Sequence, residues 1–68
     1  MEEVIIVTRD INGKRTDHYL RWDTVCDYIQ ANLTNEDEVL LVIVENTCIY
    51  SSMASDSINT SDLLGFFA

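Results

Sequence analysis

A chain of 68 residues has room for one domain, and a core of this size buries only about 60% of the surface that the unfolded chain exposes. The hydrophobic content of 47% is that of a folded protein and excludes a disordered acidic tail. The formal net charge of −8 repels nucleic acid and anionic membranes, which excludes both as direct partners. We therefore expect residues 1–68 to form a single folded domain.

The first predicted elements are the two strands of a β-hairpin. Residues 4–8 are β-branched, and Asn12-Gly13 is a strong hairpin signal because both residues tolerate positive φ. A two-residue loop at these positions pairs Val7 with His18, places apolar residues opposite each other away from the turn, and places opposite charges beside it.

An amphipathic helix is predicted next. Apolar residues recur every three or four positions and form one face: Trp22, Val25, Cys26, Ile29 and Leu33. Asp23 is the predicted N-cap, and Asp27 near the first turn suits the helix dipole. Trp22 stands at the head of the apolar face, so we expect its side chain to be buried.

A second hairpin and a short helical turn complete the predicted elements. Residues 38–45 have the strongest strand pattern, Asn46-Thr47 forms the turn, and residues 48–52 return as a shorter strand. Residues 62–67 predict a helical turn, with Thr60 or Ser61 as its cap.

The sequence thus predicts an α+β fold, a ββαββ sheet with one helix packed on a face and a short C-terminal helical turn. The first and third strands are apolar on both sides, which is typical of central strands. One helix covers only one face of the sheet. The apolar tail, residues 63–68, is expected to fold back over the other face. Alternatively, the tail or the open sheet face is the surface of a homodimer.

The spacing of reactive side chains does not favour catalysis, so we expect a protein that is not an enzyme and uses no cofactor. His18 is the only histidine, and its neighbour Asp17 points to the opposite face of a strand. Cys26 and Cys48 are interpreted as reduced core residues and are too few for a structural zinc site. Residues 36–38 lack the alternating oxygen ligands of an EF-hand, so no metal site is predicted.

The sequence also predicts a cytoplasmic location. Met1-Glu2-Glu3 lacks the positive charge that begins a signal peptide, and no apolar stretch approaches the ~20 residues of a membrane span. Two cysteines are too few for a secreted disulfide framework. We therefore expect two free thiols in each chain.

The distribution of charge is the main indication of function. All four basic residues lie in the first 21 positions, where acidic residues balance them, and residues 22–68 carry no Lys or Arg. Solubility alone explains a net charge, but soluble surfaces usually mix both signs. The candidate partner-binding residues lie on the predicted outward helix face and the following loop: Asp23, Asp27, Glu36, Asp37 and Glu38.

Carboxylates held on a rigid surface can take the place of phosphates and attract grooves rich in Lys and Arg. We therefore expect a small acidic inhibitor that docks on a basic protein surface, including one that normally binds nucleic acid. In size, charge and element order the chain resembles small acidic phage proteins that inhibit host nucleases, among them many anti-CRISPR proteins.

The hairpin–helix–hairpin order also resembles a reduced β-grasp, or ubiquitin-like, fold. This resemblance implies an adaptor or structural interaction module. The β-grasp fold has a final central strand and a Gly-Gly tail for conjugation, whereas this chain ends Phe66-Phe67-Ala68. The alternative is therefore scaffold binding without conjugation, and it predicts a weaker salt dependence of binding than the acidic inhibitor does.

Overall fold

The computed structural model describes residues 2–54 and 56–68 of the chain. Within these residues the elements are β1 (Glu3–Arg9), β2 (Arg15–Arg21), α1 (Val25–Asn32), β3 (Glu38–Val44), β4 (Thr47–Ser51) and α2 (Thr60–Phe67). The strands form one antiparallel sheet in the order β2-β1-β3-β4. The α+β class is confirmed, and the apolar strands β1 and β3 are central, as predicted. Neither α1 nor α2 has the length and apolar character that a membrane-crossing helix needs.

Both helices pack on the same face of the sheet. The buried core joins apolar side chains from β1, β3, α1 and α2: Val4, Ile6, Val25, Ile29, Leu33, Val39, Val42, Leu63 and Phe67. The tail therefore folds back, but the prediction that it covers the opposite face is wrong. At 1.5 Å per residue α1 is only about 12 Å long, so it leaves part of one sheet face for α2 to cover.

The register of the first hairpin differs by one residue from the prediction. His18 pairs with Ile6 instead of Val7, and Val7 pairs with Asp17. Because side chains alternate between the two faces of a sheet, a shift of one residue changes which side chains share a face. In the observed register His18 lies on the face that the helices cover, and Asp17 lies on the open face.

The β1–β2 turn explains the shift. The Asp10 carboxylate accepts hydrogen bonds from the backbone N–H groups of Asn12 and Lys14, both at 2.9 Å. The Gly13 N–H donates to the Asp10 carbonyl at 2.9 Å, and Gly13 has a φ of 84°. These bonds define a three-residue loop in which a type I turn is followed by a left-handed glycine. Gly13 therefore has the positive φ that was expected, whereas Asn12 does not.

The β3–β4 turn lies one residue earlier than predicted. Glu45 and Asn46 have φ values of 52° and 64°, and Val44 pairs with Thr47 across them. Positive φ at both central residues is the property of the type I′ turn, whose twist matches that of the flanking strands. Thr47 is thus the first residue of β4 and not part of the turn.

The N-terminal caps of both helices also differ from the prediction. Thr24, not Asp23, stands at the N-cap of α1, and its side chain makes no capping hydrogen bond. Asn59 caps α2 in a reciprocal capping box with Asp62, so α2 begins at Thr60 and forms a full helix instead of a single turn.

Trp22 is not buried as predicted; its side chain is 41% exposed. It precedes the first residue of α1, so its position does not follow the helical period that buries Val25 and Ile29. The Trp22 ring packs edge-on against Phe67 at a centroid distance of 5.1 Å. The tryptophan therefore contacts α2 at the margin of the core.

Candidate functional site

The side of the molecule formed by α1, α2 and their adjoining loops carries only negative charges. We call the following carboxylates the acidic layer: Asp23, Asp27, Glu36, Asp37, Asp56 and Asp62. All of them are exposed except Asp37, which is half-buried. The four basic residues of the chain lie on β1, β2 and the turn between them. The fold therefore separates a one-signed helical side from a sheet of mixed charge.

Three of the predicted binding residues in the acidic layer are free to meet a partner. Asp23, Asp27 and Glu36 make no side-chain hydrogen bond or ion pair within residues 2–54 and 56–68. Asp27 lies in the first turn of α1, where the helix dipole favours a negative charge. Since Glu36 follows the other end of α1, the three carboxylates extend along the helix instead of meeting at one point.

Asp37 and Asp62 also have structural roles. The Asp37 carboxylate accepts hydrogen bonds from the Thr34 N–H at 2.8 Å and the Thr34 hydroxyl at 3.4 Å, which fixes the loop after α1. Asp62 accepts from the Asn59 N–H at 3.3 Å in the capping box of α2. The Thr60 hydroxyl donates to the Thr34 carbonyl, so this loop adjoins the start of α2. Their charges contribute to the acidic layer, but their replacement would also alter local structure.

Glu38 lies apart from the other candidate residues. Its Oε1 atom accepts from Arg9 Nη2 at 2.8 Å, and both side chains are about half exposed. Glu38 is the direct β3 partner of Arg9, so the ion pair lies at the rim of the open sheet face. The structure thus brings four of the five predicted binding residues onto the helical side and places Glu38 elsewhere.

An apolar groove lies within the helical side, between β4 and α2. Its volume is about 240 Å³, and its apolar lining consists of Val42, Ile49, Tyr50, Ile58, Leu63 and Phe66. Asp62 stands at its rim, and Phe66 is 57% exposed. The apolar tail was identified from the sequence, but this groove was not, because the groove forms only when α2 packs beside β4.

His18 forms a polar network that was not predicted from the sequence. Its Nε2 atom lies 3.0 Å from the Thr8 hydroxyl, and its Nδ1 atom lies 2.7 Å from the Tyr28 hydroxyl. Burial lowers the pKa of His18 below its ordinary value, while the nearby carboxylates of Asp37 and Asp17 partly oppose this shift. With both ring nitrogens in hydrogen bonds, His18 ties β1 and β2 to α1. Only the correct hairpin register would have placed it opposite Ile6, on the face that the helices cover and within reach of Thr8.

The other reactive side chains are dispersed. Within the described parts of the chain, no three His, Cys, Asp or Glu residues lie close enough to hold a metal ion. Cys26 is half-buried on α1 beside the core, as expected. Cys48 is exposed on β4, so its interpretation as a core residue is wrong. The acidic layer is accordingly a broad surface and not a chelating cluster.

Comparisons with known protein families, with curated proteins and with solved structures find no match for this chain. The β-grasp likeness ends at the second hairpin, because Thr60–Phe67 is helical where that fold has its final strand. The charge, exposure and shape of the helical side therefore carry the functional proposal.

Proposed function

We propose that this protein is a small acidic inhibitor whose helical side docks on a basic protein surface, including one that normally holds nucleic acid. The observation that carries the proposal is the acidic layer itself, because every charged side chain on α1, α2 and their adjoining loops is a carboxylate. A surface of one sign attracts a surface of the opposite sign from a distance and raises the rate of encounter.

Steering alone gives little affinity, since an exposed ion pair contributes only about 0–1 kcal/mol. Tight binding usually needs an apolar contact near the centre of the interface. The groove between β4 and α2 supplies such a contact beside Asp62, with Ile49 and Phe66 exposed along it. In this mechanism the carboxylates orient the partner, and the groove accepts one of its apolar side chains.

The test compares two variants that reverse the same number of charges. In the layer variant Asp23, Asp27 and Glu36 become Lys, while Asp37 is kept because it fixes its loop. In the control variant three exposed glutamates away from the helical side become Lys: Glu2 and Glu3 at the start of β1, and Glu45 in the β3–β4 turn. Both variants have the same net charge, so any difference in their binding must come from the positions of the reversed charges.

Each protein is titrated into complexes of fluorescently labelled duplex DNA with purified basic DNA-binding proteins, and DNA release is followed by anisotropy. The native protein and the control variant should release the DNA, whereas the layer variant should not, because like charges now face the partner. Circular dichroism checks that both variants fold. Equal competition by the two variants, or none by the native protein against the whole set, would contradict the proposal.

A further inference from the structure

The face of the sheet opposite the helices has an apolar row that crosses all four strands. Tyr19, Ile5, Ile43 and Cys48 are aligned partners on β2, β1, β3 and β4. Tyr19 is 68% exposed, Cys48 is exposed, and the two isoleucines are half-buried. This row is separate from the core, which lies on the other face.

A groove with apolar and polar walls adjoins this row. Val7, which is buried, is the partner of Leu41, and with Leu40 these residues form the apolar part of a groove of about 340 Å³. The rest of its lining is polar or charged, apart from Met53: Arg9, Arg15, Ser51 and Ser52. Met53, at the edge of this groove, is 97% exposed. Together the row and Met53 leave apolar side chains exposed on the open face, on the side away from the helices.

The charges of the molecule decide which of its surfaces can meet a second copy. Two copies that met through their helical sides would bring their acidic layers together. Two copies that met through their open faces would place the acidic layers on opposite outer sides. With sheets about 10 Å apart and the helices behind them, the layers would be more than about 20 Å apart, over two Debye lengths of about 8 Å. Three of the four basic residues, Arg9, Arg15 and Arg21, also lie at open-face positions of β1 and β2, where they offset the carboxylates of that face.

The area of the sheet limits the affinity of a face-to-face contact between two copies. Four strands about 4.8 Å apart, with up to seven residues at about 3.4 Å each, cover roughly 450 Å². A pair of faces would therefore bury about 900 Å², below the 1,600 ± 400 Å² of a standard stable interface. This area is sufficient for a reversible dimer that forms with rising concentration, and not for an obligate one.

We propose that the open sheet face binds a second copy of this chain and forms a two-fold symmetric, reversible dimer with its sheets packed face to face. The same patch serves both partners, as in isologous interfaces generally. The proposal is independent of the basic partner of the acidic layer, and the dimer would present two such layers on opposite sides.

Sedimentation equilibrium over a wide range of protein concentration tests the proposal with two matched variants. Tyr19→Lys places a charge in the apolar row, and Phe66→Lys places the same charge on an exposed aromatic of the helical side. The native mass should rise with concentration toward that of two chains. Tyr19→Lys should weaken association at least about tenfold because the change occurs twice in a symmetric interface, whereas Phe66→Lys should leave it unchanged.

Met53→Lys is the second open-face variant and should also weaken association, since this residue is almost fully exposed and its replacement spares the fold. Circular dichroism confirms that each variant is folded. A native protein that stays monomeric at every concentration would overturn the proposal. The proposal would also be overturned if Phe66→Lys abolished association while both open-face variants left it intact. A native assembly larger than two chains would overturn it as well.

Discussion

Truncation of Leu63 to alanine tests whether α2 is an integral part of the core. Leu63 is 1% exposed and packs in the same cluster as Ile6 and Ile29, so its loss leaves a cavity that the short helix cannot easily fill. Leucine-to-alanine changes at such sites cost about 2–5 kcal/mol. At about 0.05–0.15 kcal/mol per residue, a domain of this length has a total stability of roughly 3–10 kcal/mol. Leu63→Ala should therefore remove about half of the free energy of unfolding.

Thermal and urea unfolding, followed by circular dichroism and by Trp22 fluorescence, measure this effect. Trp22 contacts Phe67 of α2, so its emission reports whether that helix is docked. A loss of about 3 kcal/mol corresponds to a fall in Tm of roughly 12–24 °C for a domain of this size. Phe66→Ala is the control, because Phe66 is largely exposed and should cost less than about 1 kcal/mol. Equal effects of the two substitutions would refute the assignment of α2 to the core.

Four further predictions concern the turns, a cap and the half-buried histidine. Gly13→Val should lower stability by about 1–2 kcal/mol through left-handed strain alone, since the added Cβ meets no residue beyond its chain neighbours within 4 Å; an unchanged Tm would contradict the turn. Glu45→Asn should raise Tm, because Asn tolerates the φ of 52° better than Glu; a lower Tm would oppose the type I′ assignment. Asn59→Ala should cost about 1 kcal/mol in urea unfolding by removing the α2 cap, and no loss would exclude the capping box. Because burial lowers the pKa of His18 below 6.5, the unfolded chain binds the proton first, so stability should fall as pH decreases through about 6.5 and level off below the folded pKa. His18→Gln should lack this component, and identical pH profiles for the two proteins would contradict it.

Much of the fold follows from local patterns in the sequence. The β-branched, doubly apolar character of β1 and β3 indicated their central positions, and the spacing of Val25, Ile29 and Leu33 indicated the buried face of α1. These signals are strong because the spacing of apolar residues along the sequence is enough to show which side of a strand or helix is buried.

The turns were harder to predict because their geometry depends on single hydrogen bonds. Asn12-Gly13 suits both a two-residue and a three-residue loop, and the Asp10 carboxylate selects the longer one. That choice moves the register by one residue and brings His18 to the covered face. Glu45 at positive φ had no sequence signal, since the residue types that favour this conformation are Gly, Asn and Asp.

The candidate site was only partly predictable for a similar reason. The absence of basic residues after Arg21 is visible in the sequence and gave the acidic layer most of its members. The ion pair of Glu38 with Arg9 depends on which strands are neighbours, and the groove beside Phe66 depends on where α2 packs. Both features depend on contacts between residues that are far apart in the sequence, and a local sequence pattern does not predict such contacts.

The salt dependence of binding tests the central claim, docking through the acidic layer, most directly. A purified basic DNA-binding protein that the native chain displaces from DNA is titrated with the native chain, the layer variant and the control variant over a range of ionic strength. The native chain and the control variant should bind more weakly as the salt concentration rises, because salt screens exposed charge pairs over about 8–10 Å. The layer variant should lose both the affinity and its salt dependence. Native binding that does not change with salt, or equal salt dependence in the two variants, would contradict the account.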